Sequence, residues 1–148
     1  VEERKFKVLS GVTGFDVDST GTTVSGTQIK SDITAPTITF DSSDAVTNLV
    51  LKVNEPLGYA NNADLKEHFT LTVAAAGSTA AITEAKYTAA DNKITFTIVD
   101  DAGTAKIAAG DTISLKATLV DLAGNKTAAA VILECYDDAG TLKWKAKA

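Results

Sequence analysis

An antiparallel β-sandwich with one short helix and an extra N-terminal β-hairpin is the fold this 148-residue sequence predicts. Three observations carry that reading. Apolar residues alternate with polar ones over short runs, which is the pattern of a strand with one buried and one wet face. Gly, Asn, Asp and Pro clusters separate the runs at turn spacing. Thr, Ala, Val and Ile are abundant while aromatic residues make up only 6%, a composition that suits pleated, half-buried surfaces.

The organising stretch is Asp111 to Asn125. Ile113, Leu115, Ala117 and Leu119 alternate with Thr112, Ser114, Lys116 and Thr118, so a strand is expected over this span. Asp121-Leu-Ala-Gly-Asn125 then supplies a turn, with Gly124 free to take positive φ and Asp121 able to accept turn hydrogen bonds. Alternation resumes with Ala129, Val131, Leu133 and Cys135 on one side. The whole reads as a late inner hairpin of a sandwich.

Earlier elements follow the same logic. Val1 to Leu9 alternates Phe6 and Val8 with lysines, as edge strands do to discourage stray pairing. Phe15 and Val17 alternate with Asp16 and Asp18, and Ser19-Thr-Gly21 is a turn, so a hairpin with little core of its own is expected. Pro36 cannot donate to a ladder and holds Ala35 extended, which marks a boundary. Thr37 to Phe40 is the first strand of the main domain, Asp41 to Asp44 a loop, and Leu49 to Val53 the second strand. Asn62 to His68 predicts a helix of about two turns, capped by Asn62 with Asp64 in its first turn. Phe69, Leu71 and Val73 begin another strand. Ile82 to Thr88 and Lys93 to Val99 flank a hairpin turn at Ala89 to Asn92. In the tail, Asp137-Asp-Ala-Gly-Thr141 repeats Asp100-Asp-Ala-Gly-Thr104, which we read as one turn chemistry used twice. The domain plan is residues 1–33 as an N-terminal β segment or linker from a neighbouring module, 34–136 as the sandwich, and 137–148 as a C-terminal hairpin or tail.

A net charge of −5 disfavours nucleic acid and anionic membrane as partners, because both select basic patches. No apolar run is long enough to cross a membrane as a helix. The single Cys135 has no disulfide partner in the chain and sits on an apolar strand face, so it reads as a small buried hydrophobe. The chain starts at Val1 without a leader and reads as a mature chain or a fragment of a longer protein.

Thr34-Ala-Pro36, Val53-Asn-Glu-Pro56, Ala109-Gly-Asp111 and above all Val120-Asp-Leu-Ala-Gly-Asn125 stand in an order and spacing that resemble the bacterial Ig-like domains of cell-surface and S-layer proteins. The likeness spans Pro36 to about Glu134. It implies a sandwich of roughly seven strands used in tandem outside the cell, and a non-catalytic structural or interaction module, S-layer or adhesin-like. Two alternatives stand beside it: a carbohydrate-binding accessory module of a secreted enzyme, and a polymerising surface-fibre subunit in which residues 1–33 lend a strand to a neighbour.

No catalytic constellation is visible, and the chain is not expected to be an enzyme. His68, the one histidine, lies beside Glu67 on a short polar stretch and reads as a surface residue. No cofactor is implied with certainty. Calcium is the one metal to weigh, since it takes oxygens from loop carboxylates and carbonyls. Asp32, Glu55 and Asp121 fall near domain ends, where modules of the resembled kind sometimes bind calcium. Asp16-Val-Asp18 fits a strand face better. A glycan platform would need exposed rings, for which Tyr59, Tyr87, Tyr136 and Trp144 are the supply. Neighbouring domains or subunits of a surface assembly are the expected partners.

Overall fold

The computed structural model describes residues 15–17, 24–26, 32–128 and 132–148. The chain divides into two compact units, residues 1–32 and 33–148. In the first, strands β1 (Phe15–Val17) and β2 (Val24–Gly26) pair antiparallel, Asp16 opposite Ser25. The strand expected over Val1 to Leu9 lies outside the described residues.

The second unit is a sandwich of eight strands. They are β3 (Ile38–Ala45), β4 (Asn48–Val53), β5 (Phe69–Thr72), β6 (Ala81–Thr88), β7 (Lys93–Val99), β8 (Thr112–Leu115), β9 (Ile132–Asp138) and β10 (Thr141–Ala146). One sheet runs β3-β4-β7-β6 and the other β10-β9-β8-β5, every pair antiparallel. Taking β3 to β9 as strands A to G, these orders are A-B-E-D and C-F-G, the constant-type immunoglobulin arrangement. Strand β10 is an eighth strand added beyond G.

Period two puts the core where the sequence placed it. Leu49, Leu51 and Val53 of β4 and Ile94, Phe96 and Ile98 of β7 are buried from one sheet, and Phe69, Ile113, Leu115, Leu133 and Cys135 from the other. Phe69 meets Phe96 across the layers edge to face, with ring centres 4.7 Å apart. Such a pair adds to the roughly 1.5–3 kcal/mol that burying each large side chain contributes.

Four local expectations are corrected. Asp41 to Asp44 is not a loop. It continues β3 through two register shifts against β4, because bulges on an edge strand accept polar residues. Asn62 to His68 is not a two-turn helix; only a 3-10 turn forms, at Lys66–His68. The backbone of 62–65 pairs with β6 instead, through Asn62 N–H to Tyr87 O (2.7 Å), Tyr87 N–H to Ala63 O (2.9 Å) and Leu65 N–H to Ala85 O (2.7 Å). Asn62 is left with φ of 65° and caps nothing. The strand expected from Thr112 to Leu119 stops at Leu115, where a tight Lys116–Thr118 turn exposes Ala117 and returns Leu119 to the core. Of the next alternating set, Leu133 and Cys135 are buried, and Ala129 and Val131 lie outside the described residues. Finally, Trp144 and Tyr87 are not platform residues. They are 1% and 0% exposed.

Trp144 closes one long side of the sandwich. Its backbone N–H donates to Ser43 Oγ (3.0 Å) and its indole Nε1–H to Val46 O (2.8 Å), tying β10 to the β3–β4 hairpin. Trp144→Ala is expected to lower the unfolding free energy by about 3–5 kcal/mol, read by urea denaturation. Trp144→Phe should cost less, since it keeps most of the packing and loses the indole bond.

Candidate functional site

Turn chemistry builds one end of the sandwich, where three motifs far apart in sequence meet. Asn54, at the end of β4, donates its N–H to Thr37 O (3.1 Å) and accepts Thr37 N–H on Oδ1 (2.7 Å). That closes the strand against the segment after Pro36. Pro56 blocks further ladder, and Leu57 forms an antiparallel bridge with Asp121. Gly58 N–H donates to Val120 O (2.9 Å). A Cβ on Gly58 would stand 2.5 Å from the Asp121 carbonyl oxygen, so only glycine lets the two backbones come this close. Tyr87 supports the junction from within: its hydroxyl accepts Leu57 N–H (3.0 Å) and donates to Asn92 Oδ1 (3.2 Å).

Asp121 holds the turn that follows. Its Oδ1 accepts the N–H groups of Ala123 and Asn125, each at 2.8 Å, and its Oδ2 accepts Asn125 Nδ2 at 2.8 Å. Gly124 takes φ of 90° to close it. Burial opposes the charged carboxylate, but the bonds from the Asn125 side chain and from the N–H groups of Asn125, Ala123 and Gly124 outweigh it and hold the pKa below 3.8.

The carboxylates of Asp32, Glu55 and Asp121 come together here, their oxygens within 4.8 Å of one another. These are the three residues the sequence singled out as calcium candidates. Hard carboxylate oxygens are the right chemistry for that ion, although three donors leave the rest of a six- to eight-oxygen shell to carbonyls and water. Asp121 is pre-set by its turn, and Glu55 Oε1 lies 3.4 Å from Asn54 Nδ2. Beside two members of the trio, Ile33 and Leu122 are 85% and 76% exposed.

Other sequence candidates sit apart from this end or are held in packing. His68 is half-buried, with Nδ1 2.7 Å from Thr118 Oγ1 and its ring against the edge of Tyr59. Burial and nearby Lys116 lower its pKa. Tyr136 is half-buried with Lys145 Nζ 4.9 Å from its ring centre. Cys135 is 1% exposed. Burial first, then the carboxylates of Asp111, Asp100 and Asp137, push its thiol up to about 11, which keeps it protonated and unreactive.

Sequence reasoning placed Asp111 in the Ala109-Gly-Asp111 motif and Asp64 in a helix first turn, and missed the loop-joining bonds that both make. Asp111, 4% exposed, accepts Ala74 N–H (2.9 Å) and Ala108 N–H (2.8 Å) and so joins two loops at the opposite end of β8. Asp64 accepts Lys66 N–H (3.1 Å) and Ala85 N–H (2.9 Å). Each makes one bond within its own loop and one to a distant segment, and the distant bond leaves no local spacing to read. The repeated Asp-Asp-Ala-Gly stretch does not use one turn chemistry twice: in the first copy the second aspartate bonds, Asp101 Oδ1 accepting Gly103 N–H (2.6 Å), and in the second copy the first aspartate bonds, Asp137 Oδ1 accepting Gly140 N–H (2.7 Å), with Gly140 at φ of 90°.

Comparison with protein-family models, with curated proteins and with solved structures returned no match to this chain.

Two predictions follow from the loop carboxylates. Asp64, Asp101 and Asp121 all have pKa values held below 3.8. Their contribution to stability is therefore complete above the unfolded-state value and is lost as pH falls through the folded-state values. The melting temperature should stay level from neutral pH down to about pH 5 and drop steeply below about pH 4, with a shallower acid limb in Asp121→Asn. The reading of the trio as a cation site predicts a melting temperature higher in calcium than in chelator, with Glu55→Gln shrinking the difference. An equal temperature in both returns the three carboxylates to turn chemistry alone.

Proposed function

We propose that this chain is a non-catalytic structural and interaction module of a bacterial cell-surface protein, S-layer or adhesin-like in kind. The observation that carries the reading is the meeting of three of the four motifs behind the family resemblance. The stretch after Pro36, Val53-Asn-Glu-Pro56 and Val120 to Asn125 interlock through Asn54, Gly58 and Asp121. The A-B-E-D and C-F-G strand orders support it as well.

The module's work is mechanical and spatial. Its first and last sandwich strands, β3 and β10, are tied by the Trp144 bonds to Ser43 and Val46. A load entering near residue 33 and leaving near residue 148 reaches that latch and the β3–β4 and β9–β10 ladders before the inner strands. The exposed Ile33 and Leu122 beside the acidic trio give a neighbouring module apolar surface to cover. The carbohydrate-binding alternative loses two of its four aromatic residues to the core, Tyr87 and Trp144.

An antibody raised against residues 33–148 tests the location. It is expected to label intact cells of the source organism, and labelling only after permeabilisation would overturn the proposal.

A further inference from the structure

We propose that β5 is an edge for self-association, where a second copy of this chain pairs antiparallel with the first about a two-fold axis at Leu71. The inference goes beyond the surface-module reading and does not depend on it, since it concerns which edge of the sandwich is left to pair and with what.

Backbone geometry supplies the first argument. Lys116 N–H donates to His68 O (2.8 Å), and the register pairs Thr70 with Ser114 and Thr72 with Thr112. Backbone groups alternate sides along a strand. The groups of His68, Thr70 and Thr72 therefore point at β8, and those of Phe69, Leu71 and Val73 point away from it. Phe69 N–H is taken by Lys66 O. The Phe69 carbonyl and both backbone groups of Leu71 and Val73 are left facing out of the sheet.

Among the described residues, the other three sandwich edges are guarded. Strand β3 is bulged twice and tied to β10 by the Trp144 bonds, while β10 carries Lys143 and Lys145. Strand β6 is bulged after Ile82 and covered by the backbone of residues 62–65. Bulges, lysines and covering segments are the usual devices against edge pairing. Strand β5 has none of them: its sequence is Phe-Thr-Leu-Thr and its register with β8 is unbroken.

Charge selects the occupant. Residues 69–83 are fifteen consecutive residues without Asp, Glu, Lys or Arg, in a chain of 14 basic and 19 acidic residues. Both ends of that run line one open cleft of about 380 Å³ between the edges of β5 and β6, with Leu71 and Ile82 in its wall and Lys66, Glu67 and Lys116 at its rim. Two copies of an acidic chain repel over most of their surfaces, and this face is where they approach without like charges opposed.

The edge is also self-complementary. With Leu71 on the axis, Leu71 pairs with Leu71 of the second copy, Phe69 with Val73, and Thr70 with Thr72. The outward groups then match donor to acceptor, save the Val73 carbonyl, which faces the Phe69 N–H already held by Lys66 O: each Leu71 N–H meets the other Leu71 carbonyl, and each Val73 N–H meets a Phe69 carbonyl. The sheet β10-β9-β8-β5 continues into its copy as eight strands.

The register gives a charge-swap test on the full chain, because Thr70 and Thr72 are exposed and opposite one another across the axis. Sedimentation equilibrium over about three decades of concentration is expected to show a monomer–dimer equilibrium. Thr70→Lys with Thr72→Lys brings lysines face to face and should weaken it on the order of tenfold or more. Thr70→Lys with Thr72→Glu sets lysine against glutamate and should restore it. Thermal melts at the lowest concentration check that both variants fold as the parent does. A parent chain that stays monomeric throughout, a double-lysine variant that dimerises as well as the parent, or a folded swap variant that fails to recover would overturn the proposal.

Discussion

Backbone N–H groups in the loops of a sandwich need acceptors that the ladders cannot supply, and here aspartate carboxylates provide them. Asp64 ties its own segment to β6 by accepting Ala85 N–H, Asp101 reaches Thr79, Asp111 joins the loops at Ala74 and Ala108, and Asp121 closes its own turn. A carboxylate offers several lone-pair directions from one short side chain, so a single residue can satisfy two or three N–H groups. Leaving such groups unpaired inside the protein costs more than the bonds gain. Four of the chain's 19 acidic residues serve as this loop scaffolding, so an acidic residue here need not signal a partner of opposite charge.

The same economy places the carboxylate trio. Asp121 sits where it does because its turn requires it, and Leu57 and Gly58 bring Glu55 alongside by pairing with Val120 and Asp121. The proximity of Glu55 and Asp121 is thus a consequence of strand-end packing between two distant motifs. Asp121 and Glu55 are positioned by bonds made within the protein itself.

The two long sides of the sandwich are unlike. One is sealed by Trp144, whose ring fills the core while its two N–H groups latch β10 to Ser43 and Val46. The other leaves the edges of β5 and β6 separated by an open cleft. An eighth strand beyond the seven of the immunoglobulin arrangement produces this asymmetry, since it covers one side and has no counterpart on the other.

Sequence by itself determined the class of fold, most strand positions, the inward residues of β4, β7 and β9, and the turns closed by Asn92, Gly124 and Gly140, because alternation and turn chemistry are local. It also named Asp32, Glu55 and Asp121 as the acids to watch. Only the tertiary structure decided what depended on a distant neighbour. The stretch Asn62 to Leu65 has the letters of a helix start, yet it pairs with β6, since ladder bonds to a formed strand outcompete a short helix with no other support. Trp144 has the position of an exposed tail residue, yet it is core, because β10 folds back over β3. Asp64 and Asp111 each bond a distant segment, at Ala85 and Ala74, and a bond between distant segments leaves no spacing in the chain to read.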